Sequence, residues 1–194
     1  KVYQAVLLLG KETDTQDITG EILCERTPVA DEEFIRKVIE SFQGEYMQVP
    51  PMYSALKVNG KKLYELARAG KEVERQARQV FIHEIEILKV ELPVVKMRVA
   101  CSKGTYIRTL CADIGTKLGC GGTMKSLLRT KVGNFSLDKA ITLKQLEALR
   151  DEERIEEVLF PVDSAFEGCP ALHILPEYKK LVDNGNAFYA KHTE

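Results

Sequence analysis

The sequence predicts an α+β protein built on a mixed, mainly antiparallel sheet with flanking helices. Three observations carry this. Short runs alternate at strand period, other runs place apolar residues at helix period, and the two kinds follow one another without the regular alternation of a doubly wound fold. Of 194 residues, 44% are hydrophobic and 29% charged, a composition that supports a core and excludes disorder of the whole chain. No apolar run approaches the roughly 18 residues of a membrane span.

Val2 to Leu9 is apolar, rich in strand formers, and stops at Gly10, so it reads as a buried strand. Lys11 to Gly20 is polar and reads as a loop. Asp31 to Phe42 reads as a helix, with Phe34, Ile35, Val38, Ile39 and Phe42 on one face and an acidic N-terminus. Pro50-Pro51 opens a different stretch, in which Asn59-Gly60 makes a turn and Leu63, Leu66 and Ala67 mark a short helix ending near Gly70. Val80 to Leu92 alternates, with Val80, Ile82 and Glu84 against Phe81, Ile85 and Ile87. Pro93 breaks it and Val94 to Cys101 resumes, which predicts two strands joined by a turn. Thr105 to Leu118 is an amphipathic helix with the stripe Ile107, Leu110, Cys111, Ile114, Leu118, ended by Gly119. Leu127 to Phe135 reads as a strand. Thr142 and Gln145 have the spacing of a capping box that opens a short helix to Leu149. After Pro161 the pattern weakens.

The net charge of −1 hides an uneven distribution. Between Pro51 and Val80 lie Lys57, Lys61, Lys62, Arg68, Lys71, Arg75 and Arg78 against only Glu65, Glu72 and Glu74. Such a segment suits nucleic acid, although an ordinary solvated surface accounts for the charge as well. The five cysteines, at 24, 101, 111, 120 and 169, include no C-x-x-C pair. This argues against a zinc site or a disulfide framework and for a reducing cytoplasm.

Three strings carry chemistry. In Cys101-Ser102-Lys103-Gly104-Thr105-Tyr106-Ile107-Arg108-Thr109-Leu110 a strand ends and a helix begins. Gly104 allows a sharp turn and Thr105 is the expected cap. Arg108 falls in the first turn, where a cation opposes the helix dipole. Either a carboxylate or phosphate partner explains it, or its stem packs on the helix as a surface Arg does. The second string, Pro50 to Gly70, interleaves Tyr53 and Tyr64 with cations. RNA would meet the cations through phosphates and the rings through bases, but a mobile basic loop fits the string too. The third, Leu127 to Phe135, is sufficiently explained as a strand. Asp14, Asp17 and Asp113 lack ligand spacing and read as structural, with no metal implied.

In this order the strings resemble the TruB family of tRNA pseudouridine synthases. The resemblance runs from Lys1-Val2-Tyr3 through the Gly10-to-Thr15 loop, Met52 to Gly70 and Cys101 to Leu110, to Leu127–Phe135. It implies the sheet of the pseudouridine synthase type and isomerisation of one uridine, position 55, in the tRNA T loop. The bond from C1′ to the base nitrogen breaks, the uracil turns, and C1′ rejoins at C5. No cofactor and no obligate protein partner are implied. The target base must first leave its stack. By resemblance, Tyr3 stacks on the flipped uracil, and Arg108 pairs with the nucleophilic Asp and aims it. Tyr106 reaches the uracil as a candidate acceptor of the C5 proton, and Leu127 packs against the base. The segment of about 49–79 grips RNA, with Tyr53, Lys57, Lys61, Lys62 and Arg68 as substrate-binding residues, together with Lys103 on the 101–110 string.

The family's nucleophilic Asp lies in a G-T-L-D-P motif upstream of the first strand, and no such motif occurs in these 194 residues. The chain begins Lys1-Val2-Tyr3-Gln4, as if inside a structured region. The expectation is therefore a catalytic domain over 1–170 lacking its N-terminal part, and a truncated start of a PUA-like domain over 171–194. Activity is expected of the parent protein and not of this piece. The alternative is a non-catalytic module that grips tRNA elbows; a relative that works with guide RNA is a second.

Overall fold

The computed structural model describes every residue except Val29, Asn59, Glu167 and Glu194. It has two compact units, Lys1–Ala140 and Ile141–Glu194. In the first, the strands are β1 (Val2–Leu9), β2 (Lys11–Thr13), β3 (Ile22–Glu25), β4 (Gly44–Gln48), β5 (Lys57–Val58), β6 (Lys61–Lys62), β7 (Arg78–Glu91), β8 (Val94–Cys101), β9 (Gly122–Val132) and β10 (Phe135–Ser136). The helices are α1 (Glu32–Glu40), α2 (Leu63–Arg68) and α3 (Ile107–Lys117). Six strands form one sheet in the order β10-β9-β1-β8-β7-β4, and each of its pairings is antiparallel. An isolated parallel bridge joins Asp17 to Met124. The expected α+β class is thus observed, with an antiparallel sheet.

The sheet's buried face follows from period-2 patterning. Ala5, Leu7 and Leu9 of β1 and Val95, Met97, Val99 and Cys101 of β8 are buried together with Ile35, Val38 and Ile39 of α1 and Ile107, Leu110, Cys111 and Ile114 of α3. Strand β7 departs from simple alternation. The register slips between Ile82 and Glu84, so one extra residue, His83, is accommodated opposite β8. That bulge brings Val80, Ile82 and Ile85 all into the buried set, although Ile85 has the wrong parity for an unbroken strand. A second shift between Ile87 and Lys89 does the same for Val90, which packs on the core beside Ile87.

Three further expectations are corrected. The Lys11–Gly20 loop begins as β2, which pairs with β3, before turning. The strand expected over Leu127–Phe135 starts earlier, at Gly122, and breaks at Gly133-Asn134, where Gly133 takes φ +55 and the chain folds back as β10. Thr105 is not the cap of α3. Tyr106 occupies that position, and the Thr105 hydroxyl instead donates to the Ser102 carbonyl at 3.1 Å, tightening the turn at Gly104.

Helix α3 is pressed close to β9. A Cβ on Gly115 would lie 2.1 Å from the Gly122 nitrogen and 2.2 Å from the Gly121 carbonyl carbon, so only glycine allows this approach. The expected turn at Asn59-Gly60 falls partly outside the described residues, since Asn59 is not among them. Gly60 has φ +80, and β5 and β6 pair across the turn.

In the second unit, α4 (Leu143–Asp151) is opened by Thr142, whose hydroxyl accepts from the Gln145 N–H while the Gln145 side chain accepts from the Thr142 N–H, as the spacing predicts. Short 3-10 turns follow, then α5 (Lys179–Asp183) and a bridge between Ile174 and Thr193. His192 is buried and stacks on Tyr178 at 4.2 Å between ring centres. The boundary expected after residue 170 lies inside this unit. No described helix is long and apolar enough to cross a membrane.

Candidate active site

The turn that leads from β8 into α3 is fastened by side-chain hydrogen bonds from distant parts of the chain. Gln48, the last residue of β4, is 1% exposed. Its side-chain oxygen accepts from the Tyr106 N–H at 2.8 Å, and its amide nitrogen donates to the Tyr106 carbonyl at 3.0 Å. Both main-chain groups of the helix-cap residue are thus held by one buried side chain, in a helix whose cap makes no side-chain hydrogen bond of its own. Two residues earlier on β4, the Tyr46 hydroxyl donates to the Asp113 carboxylate farther along α3. Burial raises the pKa of both groups; the bond from Tyr46 works against the rise at Asp113, and the nearby carboxylate adds to it at Tyr46. Edge strand β4 therefore grips α3 at two points.

Arg108 follows Tyr106 by two residues and is half-buried. Its guanidinium donates to the Tyr53 carbonyl at 2.7 Å and the Thr15 carbonyl at 3.4 Å. One side chain thus ties two loops to the start of α3. Among the described residues Arg108 makes no ion pair with a carboxylate. The 14–20 loop is itself secured. The Thr109 hydroxyl donates to the Gln16 side chain at 2.8 Å, Gln16 adopts φ +62, and the Met124 N–H donates to the Gln16 carbonyl at 3.0 Å. Asp14 and Asp17 serve that loop by accepting from the Glu21 and Thr19 N–H groups, the structural role expected of them.

Tyr3 and Leu127 come from neighbouring strands. Tyr3 pairs with Val99 on one side and Arg129 on the other, and Ala5 pairs with Met97 and Leu127. Directly paired residues share a sheet face, so Tyr3, Ala5 and Leu127 stand on the face that α3 packs against. Ala5 is 1% exposed, yet Leu127 is 40% exposed, so the apolar face opens to solvent towards β9. Tyr3 is half-buried against the core.

The basic residues occupy a separate small structure. Lys57 and Lys61 are exposed on β5 and β6, and Lys62 leads into α2, its N–H donating to the Glu65 carboxylate at 3.3 Å. Lys62 and Arg68 lie 5.4 and 5.5 Å from the centre of the Tyr64 ring. Buried Leu63 anchors the group, with its N–H donating to the Leu56 carbonyl and that of Tyr64 to the Ser54 carbonyl. Tyr53 is joined to the start of α3 through its carbonyl, which accepts from Arg108, and Lys103 is exposed on the turn that leads into that helix. Sequence reasoning missed Gln48 and the Thr109–Gln16 pair. Both are contacts across more than fifty residues, made by side chains that look like ordinary surface polar groups; the only local signal is that Gln48 sits at a position alternation assigns to the interior.

The first unit thus combines an antiparallel sheet, a helix that begins beside Arg108, an aromatic residue on its first strand and a small cationic appendage. The chain belongs to the TruB family. The model described as TruB family pseudouridylate synthase (N terminal domain) matches residues 1–107, and that of the tRNA pseudouridylate synthase B C-terminal domain matches 108–167. The chain is 51% identical over 192 residues to tRNA pseudouridine synthase B of Alkaliphilus oremlandii, covering 99% of this chain and 63% of that protein. It is 51% identical over 176 residues to the protein of the same name from Cupriavidus metallidurans, covering 90% and 56%. The chain thus spans less than two thirds of these relatives. Among solved structures it resembles a chain of a Cbf5-Nop10-Gar1 complex with a TM-score of 0.73 and 27% identity, covering all of this chain and 51% of that one. A second, an H/ACA RNP bound to a substrate RNA, shares the fold at 23% identity and a TM-score of 0.68.

Proposed function

We propose that the protein of which these residues form part isomerises uridine 55 in the tRNA T loop to pseudouridine. The observation that carries this is the Tyr106–Arg108 turn, fastened by Gln48 and linked through Arg108 to the basic segment, in a chain of the TruB family. In this reading Arg108 presents its fork to a carboxylate from the G-T-L-D-P motif of the longer protein. It holds that carboxylate ionised and aimed at C1′. Tyr3 stacks on the flipped uracil and Leu127 closes the apolar side of the pocket. Tyr106 faces the detached base as the candidate acceptor of the C5 proton. Tyr53, Lys57, Lys61, Lys62, Arg68 and Lys103 contact the T arm, the cations through phosphates. The reaction is an internal rearrangement without net redox change, so this reading invokes no cofactor. A domain boundary near 170 and a cytoplasmic setting belong to the same proposal; the free cysteines fit the latter.

Nucleoside analysis of a T-arm stem-loop incubated with the full-length protein tests it. Conversion of the single target uridine to pseudouridine is expected. Tight binding with the uridine intact would assign the protein to non-catalytic tRNA grip instead.

A further inference from the structure

We propose that Gln48 is a positioning residue for Tyr106, coupling the RNA-gripping segment to the catalytic turn. The inference rests on the reading of Tyr106 given above. Gln48 touches no reacting atom in that reading; it acts through the main chain of the residue that does. Three observations support it. The Gln48 side chain is almost wholly removed from solvent, yet its amide meets both the N–H and the carbonyl of a single residue, a two-point clamp that fixes the peptide planes on either side of Tyr106. Tyr106 caps α3 with φ −100 and ψ 109, outside helical geometry; the helix ladder reaches only its carbonyl, through the Leu110 N–H at 3.1 Å, so its own N–H is held by Gln48 alone among the described residues. Gln48 is also the last residue of β4, immediately before Val49-Pro50-Pro51, where the basic segment departs. At the other side of the same turn, Arg108 holds the Tyr53 carbonyl. The segment and the turn are thus joined by two tethers. A shift of the segment on gripping RNA would be transmitted to Tyr106 through Gln48 and to Arg108 through Tyr53.

Full-length protein carrying Gln48→Glu or Gln48→Met tests this. Glu keeps the acceptor for the Tyr106 N–H and loses the donor to its carbonyl, whereas Met keeps the length and loses both. The single-turnover rate of pseudouridine formation is expected to fall in the order wild type, Glu, Met, by about 10- to 100-fold for Met. Affinity for the T arm should stay within about threefold, since Gln48 meets no RNA. A merely structural role would lower the folded fraction without this split. Rates within threefold of wild type in folded Met protein would overturn the proposal, as would a loss carried wholly by RNA affinity. Should both variants fold poorly, amide exchange in the unaltered protein decides. The Tyr106 N–H is expected to exchange far more slowly than that of Gly104, and equal rates would refute the clamp. Absence of any turnover by the wild-type protein would instead sink the enzymatic reading and leave the exchange result standing.

Discussion

Arg108 lies where its charge opposes the dipole of α3, and its guanidinium engages two main-chain carbonyls and no carboxylate among the described residues. In the longer protein, Arg108→Ala is expected to lower kcat by about 100- to 1000-fold, roughly 3 to 4 kcal/mol of transition-state stabilisation, with steady-state kinetics as the measure. Arg108→Lys should recover little of this, because an ammonium lacks the planar fork. A kcat within a few-fold of wild type for the Ala variant would remove Arg108 from the mechanism. Asp113 offers an expectation of a different kind. Burial raises its pKa in the folded state, so the folded protein binds the proton more tightly than the unfolded chain does. Its contribution is therefore favourable at low pH and is lost as pH rises through the raised value. Asp113→Asn keeps an acceptor for Tyr46 and removes the titration. Urea unfolding of both proteins from acid to neutral pH should show the variant gaining on the wild type as pH rises; a constant difference would contradict it. At this scale the sequence made Tyr106 and Arg108 visible, because the 101–110 string is specific. It concealed the Gln48–Tyr106 and Tyr46–Asp113 bonds, because a polar side chain does not announce a partner 58 or 67 residues away.

Among the elements, the α3–β9 contact leaves no room for a side chain at Gly115. Gly115→Ala would drive a methyl into the main chain of Gly121 and Gly122, which cannot move aside as a flexible side chain would. A loss of about 1–3 kcal/mol or more is expected in denaturant unfolding, although alanine is the better helix former; a neutral or stabilising outcome would show that the two elements separate readily. The β5–β6–α2 group should behave as an electrostatic grip. Exposed Lys57 and Lys61 each replaced by Ala should lower the slope of log affinity against log salt by about 0.7 to 0.9 in a T-arm binding titration. Lys62 and Arg68 flank Tyr64, so their replacement should also loosen α2. An unchanged salt slope in all four variants would make the group a solvated surface. Helix α3 and strands β1 and β8 were legible because apolar period alone defines them. The bulge at His83 was not, since a one-residue slip leaves the composition of β7 unchanged and reveals itself only in the parity of Ile82 and Ile85.

For the whole molecule, the α+β class was legible from the mixture of periods, but the strand order was not. Placing β1 between β8 and β9 requires pairings across about a hundred residues that no local pattern encodes. That order brings the candidate residues together, because it sets Tyr3 on β1 with Leu127 on the neighbouring β9 and α3 over the same face. The division at Ala140 was equally hidden, since Thr142 and Gln145 announce a helix without saying which unit it joins. The proposed chemistry requires that the full-length protein exchange hydrogen at C5 of one uridine. The direct measurement is tritium release from a T-arm stem-loop labelled at C5 of its uridines, using the full-length protein. Release equal to one target uridine per RNA, abolished when that uridine is replaced by cytidine, is the expected result. No release by a folded protein that binds the stem-loop would contradict the account.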